Sequence, residues 1–256
     1  MSSNSHPLQG LSIAMTRPEE QGGQLRSTLQ ALGAQVYSLP TISIRYLPPR
    51  SREDMQWLKA SHERRSLALV SSLAARALDH HLSTSYTNIQ IPAWNYIYAL
   101  GDKTLKTLES LNLPFKSARV ATPQNDEGLY ALIRNHHEKS EPIVAPRGNL
   151  ARLGWSDRLS EEGFELIRPQ VYETVDATPS EFAPPQTIDL ALFFSPSAVK
   201  AWKRVYPQLS LVGCAAIGET TAKACREEGL PLKVIADAPN ENAMRESIVD
   251  YFQPAR

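Results

Sequence analysis

Cysteine is scarce in this chain. Its 256 residues hold two, Cys214 and Cys225, in no metal-binding or redox spacing. A disulfide-stapled extracellular scaffold is therefore disfavoured, and a reducing, cytoplasmic setting is the expectation. Long apolar runs are also lacking; none approaches the about 18 residues that a membrane-crossing helix needs. The segment Met1 to Gly10 is polar, has no apolar middle of the kind a secretory signal carries, and reads as a frayed tail. Charge of one sign is not in excess, since Lys+Arg and Asp+Glu both number 27. That balance speaks against a protein that coats nucleic acid, though not against a local basic cleft.

Several chemical signatures are missing too. No glycine-rich phosphate loop and no G-x-G-x-x-G after a strand occurs, which disfavours nucleotide and dinucleotide cofactors. Gly-x-Ser-x-Gly is absent, and no nucleophile–base pair stands out. No Cys/His cluster has zinc spacing. The adjacent pairs His80-His81 and His136-His137 lie in polar surroundings, and neighbours on a helix point to different faces. They read as solvated surface residues rather than joint ligands, so no metal and no cofactor is expected. What remains open is chemistry that needs positioning, charge stabilisation and proton transfer.

What is present is a globular composition, 42% hydrophobic and 21% charged, in a chain long enough for one large domain or two ordinary ones. Short apolar runs are followed by turn residues and then by amphipathic stretches. Leu11–Met15 reads as a strand and Glu19–Leu32 as a helix with Leu25, Leu29 and Leu32 on one face and Gly33 as its C-cap. Gln35–Leu39 and Ser43–Leu47 read as extended. Strand–helix pairs follow at Leu67–Val70 with Leu73–His81, and at Tyr96–Leu100 with Asp102–Leu111. Pro142–Ala145 reads as a strand, Asp157–Glu162 as part of a helix stopped by Gly163. Three more pairs are Leu190–Phe194 with Ala198–Val205, Val212–Ile217 with Thr220–Glu228, and Lys233–Ile235 with Glu241–Phe252. This alternation predicts parallel sheets with helices on both faces. Leu47-Pro48-Pro49 and Ala183-Pro184-Pro185 mark connections.

A weak internal repeat is visible. Thr16-Arg17 leading to Leu32-Gly33-Ala34-Gln35-Val36 parallels Pro146-Arg147 leading to Glu162-Gly163-Phe164-Glu165-Leu166. Gly101-Asp102-Lys103-Thr104 parallels Gly218-Glu219-Thr220-Thr221, and Ser71-Ser72 parallels Ser195-Pro196-Ser197. Four strand-to-helix turns thus carry small or hydroxyl residues: those at Thr16, Gly101, Ser195 and Gly218. Free N–H groups at a helix start attract carboxylates or phosphates, and in open α/β sheets such turns lie where ligands bind. For any one of these turns, ordinary N-capping is the plainer reading.

Four segments taken together, Leu11–Ile44, Ile143–Val175, Leu192–Trp202 and Ala215–Pro231, resemble the uroporphyrinogen-III synthase family. They carry its TRP strand end, RG turn, VY-x-T return segment, FFSPSAV turn and AIG-x-TTA turn, in that order. The departure is Val70-Ser71-Ser72-Leu73-Ala74-Ala75, where the family often has a Phe-Thr-Ser turn. The resemblance implies two doubly wound α/β lobes, residues 1–42 plus 173–256 and residues 43–172. A two-stranded connector near 42–47 and 168–175 would join them. It implies a cleft for hydroxymethylbilane, a linear tetrapyrrole with eight carboxylates, and a reaction that loses water and closes the ring with the last pyrrole inverted.

On that resemblance Tyr172 is the candidate proton donor, since a phenol can protonate the leaving hydroxyl. Thr220 and Thr221 in the TTA turn after Gly218, Thr104 in the paired turn, and Ser195 and Ser197 in the SPS turn are candidate carboxylate binders, as is the Thr16 turn. Arg17 and Arg147, and more weakly Lys103, are candidate neutralising cations. A small-molecule substrate, no nucleic acid, no membrane and a monomer are the expected partner pattern. Two alternatives stay open: an inactive two-lobed anion-binding or regulatory module of the same fold, and a sugar-phosphate or nucleotide-binding two-domain enzyme. Fold alone does not decide among them.

Overall fold

The computed structural model describes residues 6–18, 22–47, 65–85, 93–111, 113–179 and 184–253. The chain divides into two compact units, Met1–Ser43 with Val175–Arg256, and Ile44–Thr174. In chain order the first unit begins with β1 (Ser12–Met15), α1 (Gly23–Ala31) and β2 (Gln35–Ser38). Strand β3 (Ile42–Tyr46) carries the chain over the first division. The second unit holds β4 (Ser66–Leu69), α2 (Ser72–Ser85), β5 (Trp94–Ala99), α3 (Asp102–Glu109), β6 (Phe115–Val120) and α4 (Asp126–His136). It continues with β7 (Ile143–Val144), β8 (Arg147–Gly148), α5 (Gly154–Glu161) and β9 (Leu166–Ile167). Strand β10 (Gln170–Asp176) carries the chain back. The first unit is completed by β11 (Thr187–Ile188), β12 (Leu190–Phe193), α6 (Pro196–Val205), β13 (Ser210–Leu211), β14 (Cys214–Ala216), α7 (Glu219–Glu227), β15 (Leu232–Ile235) and α8 (Glu241–Phe252).

Each unit is built on a five-stranded parallel sheet, in the order β15-β14-β12-β1-β2 in the first and β6-β5-β4-β7-β9 in the second. The two orders match strand for strand, with β12 answering to β4, β14 to β5 and β1 to β7. The segments paired in the sequence repeat fall on these corresponding strands. A short sheet, β3-β10-β8, accompanies them, as does the pair β11-β13. The α/β class expected from the alternation is the observed one.

The central strands are buried along their whole length, as in β1, β4 and β12. A strand covered on both faces needs apolar or small residues at every position, and its side chains still alternate. Along β12, Leu190 and Leu192 enter one cluster with Leu25, Leu29 and Met244. Ala191 and Phe193 enter the other, where the Phe193 ring meets Trp202 edge-on at 5.8 Å. Along β4 the same split sends Leu67 and Leu69 to one side and Ala68 to the other. Helices α1 and α5 end alike: Gly33 and Gly163 take φ of +97 and +89, and the next N–H reaches back to the Leu29 and Leu159 carbonyls. A left-handed residue costs glycine little, which is why these two stop their helices.

Three expectations are corrected. Residues 6–10 are not a frayed tail: Leu8 is fully buried and its N–H donates to the Leu32 carbonyl, because its side chain completes the cluster beneath α1. Residues 1–5 of that tail lie outside the described residues, as do Glu19–Gln21, Pro48-Pro49 and Ala183. His81 and His137 are buried rather than solvated, while His80 and His136 are exposed. Adjacent residues diverge in direction, so one of each pair turns inward. His81 Nδ1 lies 3.1 Å from the Leu47 carbonyl, and His137 bridges the Tyr98 hydroxyl and the Glu141 carbonyl. No helix of the described residues is long and apolar enough to cross a membrane.

Candidate functional site

In the first unit β14, β12 and β1 are neighbours, with Phe193 level with Ala216 and Met15 level with Leu192. The turns that follow them therefore gather at one end of the sheet. Ser195 is extended and caps α6 by accepting the Ala198 N–H at 3.2 Å, and Pro196 opens that helix. The Ser195 and Ser197 hydroxyls are 3.0 Å apart, so one donates to the other and the accepting hydroxyl keeps its own proton for a ligand.

The turn at Gly218 is more open. Helix α7 has no side-chain cap, and its first bonds run from the Thr221 and Ala222 N–H groups to the Gly218 carbonyl. The N–H groups of Glu219 and Thr220 have no partner among the described residues. Thr220 is exposed beside them, whereas Thr221 is 3% exposed and packs into the unit. Of the two threonines, Thr220 is the one able to meet a solvent-borne anion.

The turn after β1 is occupied. Thr16 is fully buried and its hydroxyl donates to the Leu192 carbonyl at 2.7 Å. Arg17 pairs with Glu241 at 2.6 Å and lies over the Phe194 ring, 3.5 Å from its centroid. Burial pulls the Arg17 guanidinium below its ordinary value, and Glu241 pulls it back up.

In the second unit the turns after β4, β5 and β7 are neighbours in the same way. Thr104 is buried in the first turn of α3, and its N–H is bonded to the Gly101 carbonyl. The Asp102 N–H is taken by Gln124. Lys103 is exposed, and its carbonyl accepts the Ser72 hydroxyl at 3.1 Å, joining two turns.

Tyr172, on β10, stands level with Gly148 on β8. Its ring packs beside the cluster that holds Leu67 and Leu69, and the Ser71 hydroxyl is the polar group that acts on the Tyr172 hydroxyl. Burial pushes the phenol above its ordinary value, and the Ser71 hydroxyl pulls the other way. The group is thus a proton donor at neutral pH rather than a base. Arg147, the neighbour of Gly148, borders a small cavity with Val70, Pro146, Arg152, Leu153 and Trp155. Its Nε is enclosed without a partner among the described residues, and Nη1 lies 3.4 Å from the Gly148 carbonyl. Among the described residues no carboxylate pairs with Arg147, whereas Arg168 at the same cavity is held by Asp157 at 2.6 Å.

The expected residues thus fall into two groups. Ser195, Ser197, Gly218, Thr220 and Thr221 gather in the first unit with Thr16 and Arg17, and Tyr172, Arg147 and Thr104 lie in the second. Sequence reading missed Ser71, Gly148 and Gln124. Ser71 sits in the Val70–Ala75 stretch where the family pattern departs, and Gly148 is the glycine of the RG turn, so both had a signal. Gln124 lies in an irregular turn and had none.

Comparison with known proteins agrees with this architecture. The family profile described as uroporphyrinogen-III synthase HemD matches residues 23–246. A chloroplastic uroporphyrinogen-III synthase from Oryza sativa subsp. japonica is 35% identical over 117 residues, 44% of this chain. The match spans only 37% of the rice protein's length. Among solved structures, a mutant uroporphyrinogen III synthase from the extremely thermophilic bacterium Thermus thermophilus superposes with a TM-score of 0.62 at 15% identity, covering 96% of this chain and 100% of that one. The uroporphyrinogen-III synthetase of Helicobacter pylori 26695 gives 0.62 at 17% identity, covering 94% and 99%. At such identities the superpositions show the shared fold, and the profile match over most of the chain supplies the rest: the chain belongs to the uroporphyrinogen-III synthase family.

Proposed function

We propose that this chain converts hydroxymethylbilane to uroporphyrinogen III in tetrapyrrole biosynthesis, as a cyclising hydro-lyase working as a cytoplasmic monomer without a cofactor. The observation that carries the reading is Tyr172, a half-buried phenol whose proton is held on by burial and whose hydroxyl is met by Ser71. Loss of the terminal hydroxyl as water needs a donor of this kind, because hydroxide is a poor leaving group. The terminal pyrrole of the same molecule attacks the azafulvene cation left behind, through a spiro intermediate, and that pyrrole is inverted when the ring closes. Holding the chain ends together is the rest of the catalysis.

The eight carboxylates of the substrate call for distributed donors. Gly218 and Thr220 support an open backbone site, with Ser195 and Ser197 beside it. Thr221, Thr104 and Thr16 are buried and would act by shaping their turns. Arg147 is the cation best placed to neutralise a carboxylate, since no acid of the described residues pairs with it; Arg17 would contribute less because Glu241 already balances it. The family match favours this reading over an inactive anion-binding module.

The test is a coupled assay. Hydroxymethylbilane is generated in situ, the protein is added, and the product isomers are separated by chromatography. The type III isomer is expected. Only the type I isomer, the product of spontaneous closure, would sink the proposal.

A further inference from the structure

Gly148 lies under the Tyr172 ring. A Cβ built on Gly148 would stand 2.4 Å from Cε2 of Tyr172, 2.5 Å from Cζ and 2.9 Å from the hydroxyl oxygen. The phenol end of the ring therefore rests on bare backbone. Any side chain at position 148 must push it away. The strand pairing makes the contact a fixed one, since Tyr172 and Gly148 are register partners in β10 and β8. Ser71, just before α2, acts on the Tyr172 hydroxyl. Its oxygen accepts the Ala74 N–H at 3.1 Å, so one lone pair is engaged and its own proton is free to turn to the phenol.

We propose that Gly148 and Ser71 are positioning residues for Tyr172: the missing side chain at 148 sets where the phenol lies, and the Ser71 hydroxyl fixes how its oxygen points. The proposal rests on the reading that Tyr172 is the proton donor. In that step the Tyr172 O–H bond breaks and the proton goes to the leaving oxygen. The carbon–oxygen bond breaks with its electron pair going to oxygen, which departs as water. The phenolate left behind accepts the Ser71 O–H, a donor already in place when the charge appears. The proton released from the pyrrole carbon as the new carbon–carbon bond forms restores the phenol.

Gly148→Ala is a clean probe, because the atoms it displaces are the free end of a side chain and not backbone. Misplacing a reacting group by about 1 Å costs on the order of 100-fold in rate. The expected result is a kcat about 30- to 100-fold lower, with KM within about threefold and an unchanged thermal midpoint. The Tyr172 Cζ resonance, read in carbon-13 tyrosine-labelled protein, should move in Gly148→Ala and in Ser71→Ala. Ser71→Thr, which keeps a hydroxyl, should recover the rate lost in Ser71→Ala. In a Tyr172→Phe background Gly148→Ala should cost nothing further, since the hydroxyl it misplaces is already gone. Full activity in Gly148→Ala, an undiminished loss in the double variant, or an unmoved Cζ resonance overturns the proposal. If Tyr172→Phe turns over at the wild-type rate, the donor reading fails instead, and the Cζ resonance still decides whether Gly148 and Ser71 set the ring.

Discussion

Gln124 fills the turn that opens α3: its Oε1 accepts the Asp102 N–H at 3.2 Å while its Nε2 donates to the Asp102 carboxylate at 2.7 Å. A Cβ on Gly101 would meet that same Oε1 at 2.8 Å. Among the described residues, no such side chain fills the corresponding turn of the first unit. The nearest atom to a Cβ on Gly218 is Pro239 Cβ, at 3.9 Å. Two turns that look alike in sequence thus differ in what an anion would find there.

This asymmetry makes the first prediction. Removing the exposed hydroxyl beside the open turn, in Thr220→Val, should raise KM about 3- to 10-fold, the span that one hydrogen bond commands. Thr104→Val, in the turn that Gln124 caps, should leave KM within about twofold. Steady-state kinetics on hydroxymethylbilane generated in situ would decide. Equal effects at the two positions would remove the distinction.

The second prediction concerns alkaline pH. Burial raises the Tyr172 phenol above its ordinary value of about 10, so the protonated donor persists through neutral and mildly alkaline conditions. Ionisation of Tyr172, followed by carbon-13 NMR of Cζ, should therefore have its midpoint above that value. The Ser71 bond favours the phenolate, so Ser71→Ala should move the titration higher still. Tyr172→Phe should lower kcat about 100-fold, the low end of general-acid contributions. A titration at or below the ordinary phenol range would contradict the burial. Tyr98, pushed by burial up to about 12, serves as an internal reference.

How far these features could be read from the sequence varied with burial. Strands such as Leu190–Phe193 are apolar at every position, so the run itself announces them, and the helix read at Glu241–Phe252 has those same bounds, with Asn240 as its cap. Phe115–Val120 escaped because it lies at a sheet edge, where Lys116 and Arg119 face solvent and dilute the apolar signal. The helix Asp126–His136 escaped because Gly128 interrupts its pattern. At the site, residue types in turns pointed to Ser195 and Thr220, and the family resemblance of the Val171–Thr174 segment pointed to Tyr172. Which hydroxyls face solvent and which are taken by neighbours is decided by tertiary packing. Thr16 and Thr220 look equivalent as letters, yet one donates to the Leu192 carbonyl and the other is exposed.

The third prediction is chemical silence at the two cysteines. Cys214 and Cys225 are both fully buried, and the bond to the Cys225 thiol together with burial pushes the Cys214 thiol up. The bond to Cys214 pulls the Cys225 thiol down, but solvent reaches neither sulfur, so neither should be labelled by an aromatic disulfide reagent while the protein is folded. Two thiols should appear per chain in denaturant, and native labelling should proceed no faster than local opening. Rapid stoichiometric labelling of the folded protein would show that the strand–helix packing around β14 and α7 is looser than described.

The fourth prediction separates two glycines of the second unit. A Cβ on Gly128 would stand 1.9 Å from the Pro123 carbonyl oxygen, which is backbone and cannot turn aside as a side-chain end can. Gly128 also gives its N–H to the Asn125 side chain that caps α4, so the strand-to-helix turn would have to move as a whole. Gly128→Ala should destabilise the fold by about 2–3 kcal/mol, the cost of overpacking a tight contact. Gly154, at the start of α5, has nothing among the described residues within 4 Å of the same added atom. Gly154→Ala should be neutral or stabilise by up to about 1 kcal/mol, through helix propensity alone. Urea denaturation of the two variants side by side would show the Gly128→Ala midpoint lowered and the Gly154→Ala midpoint unchanged or raised. A Gly128→Ala midpoint equal to the parent would mean that the Pro123 carbonyl yields easily, and the capping geometry at Asn125 would then be the first feature to revise.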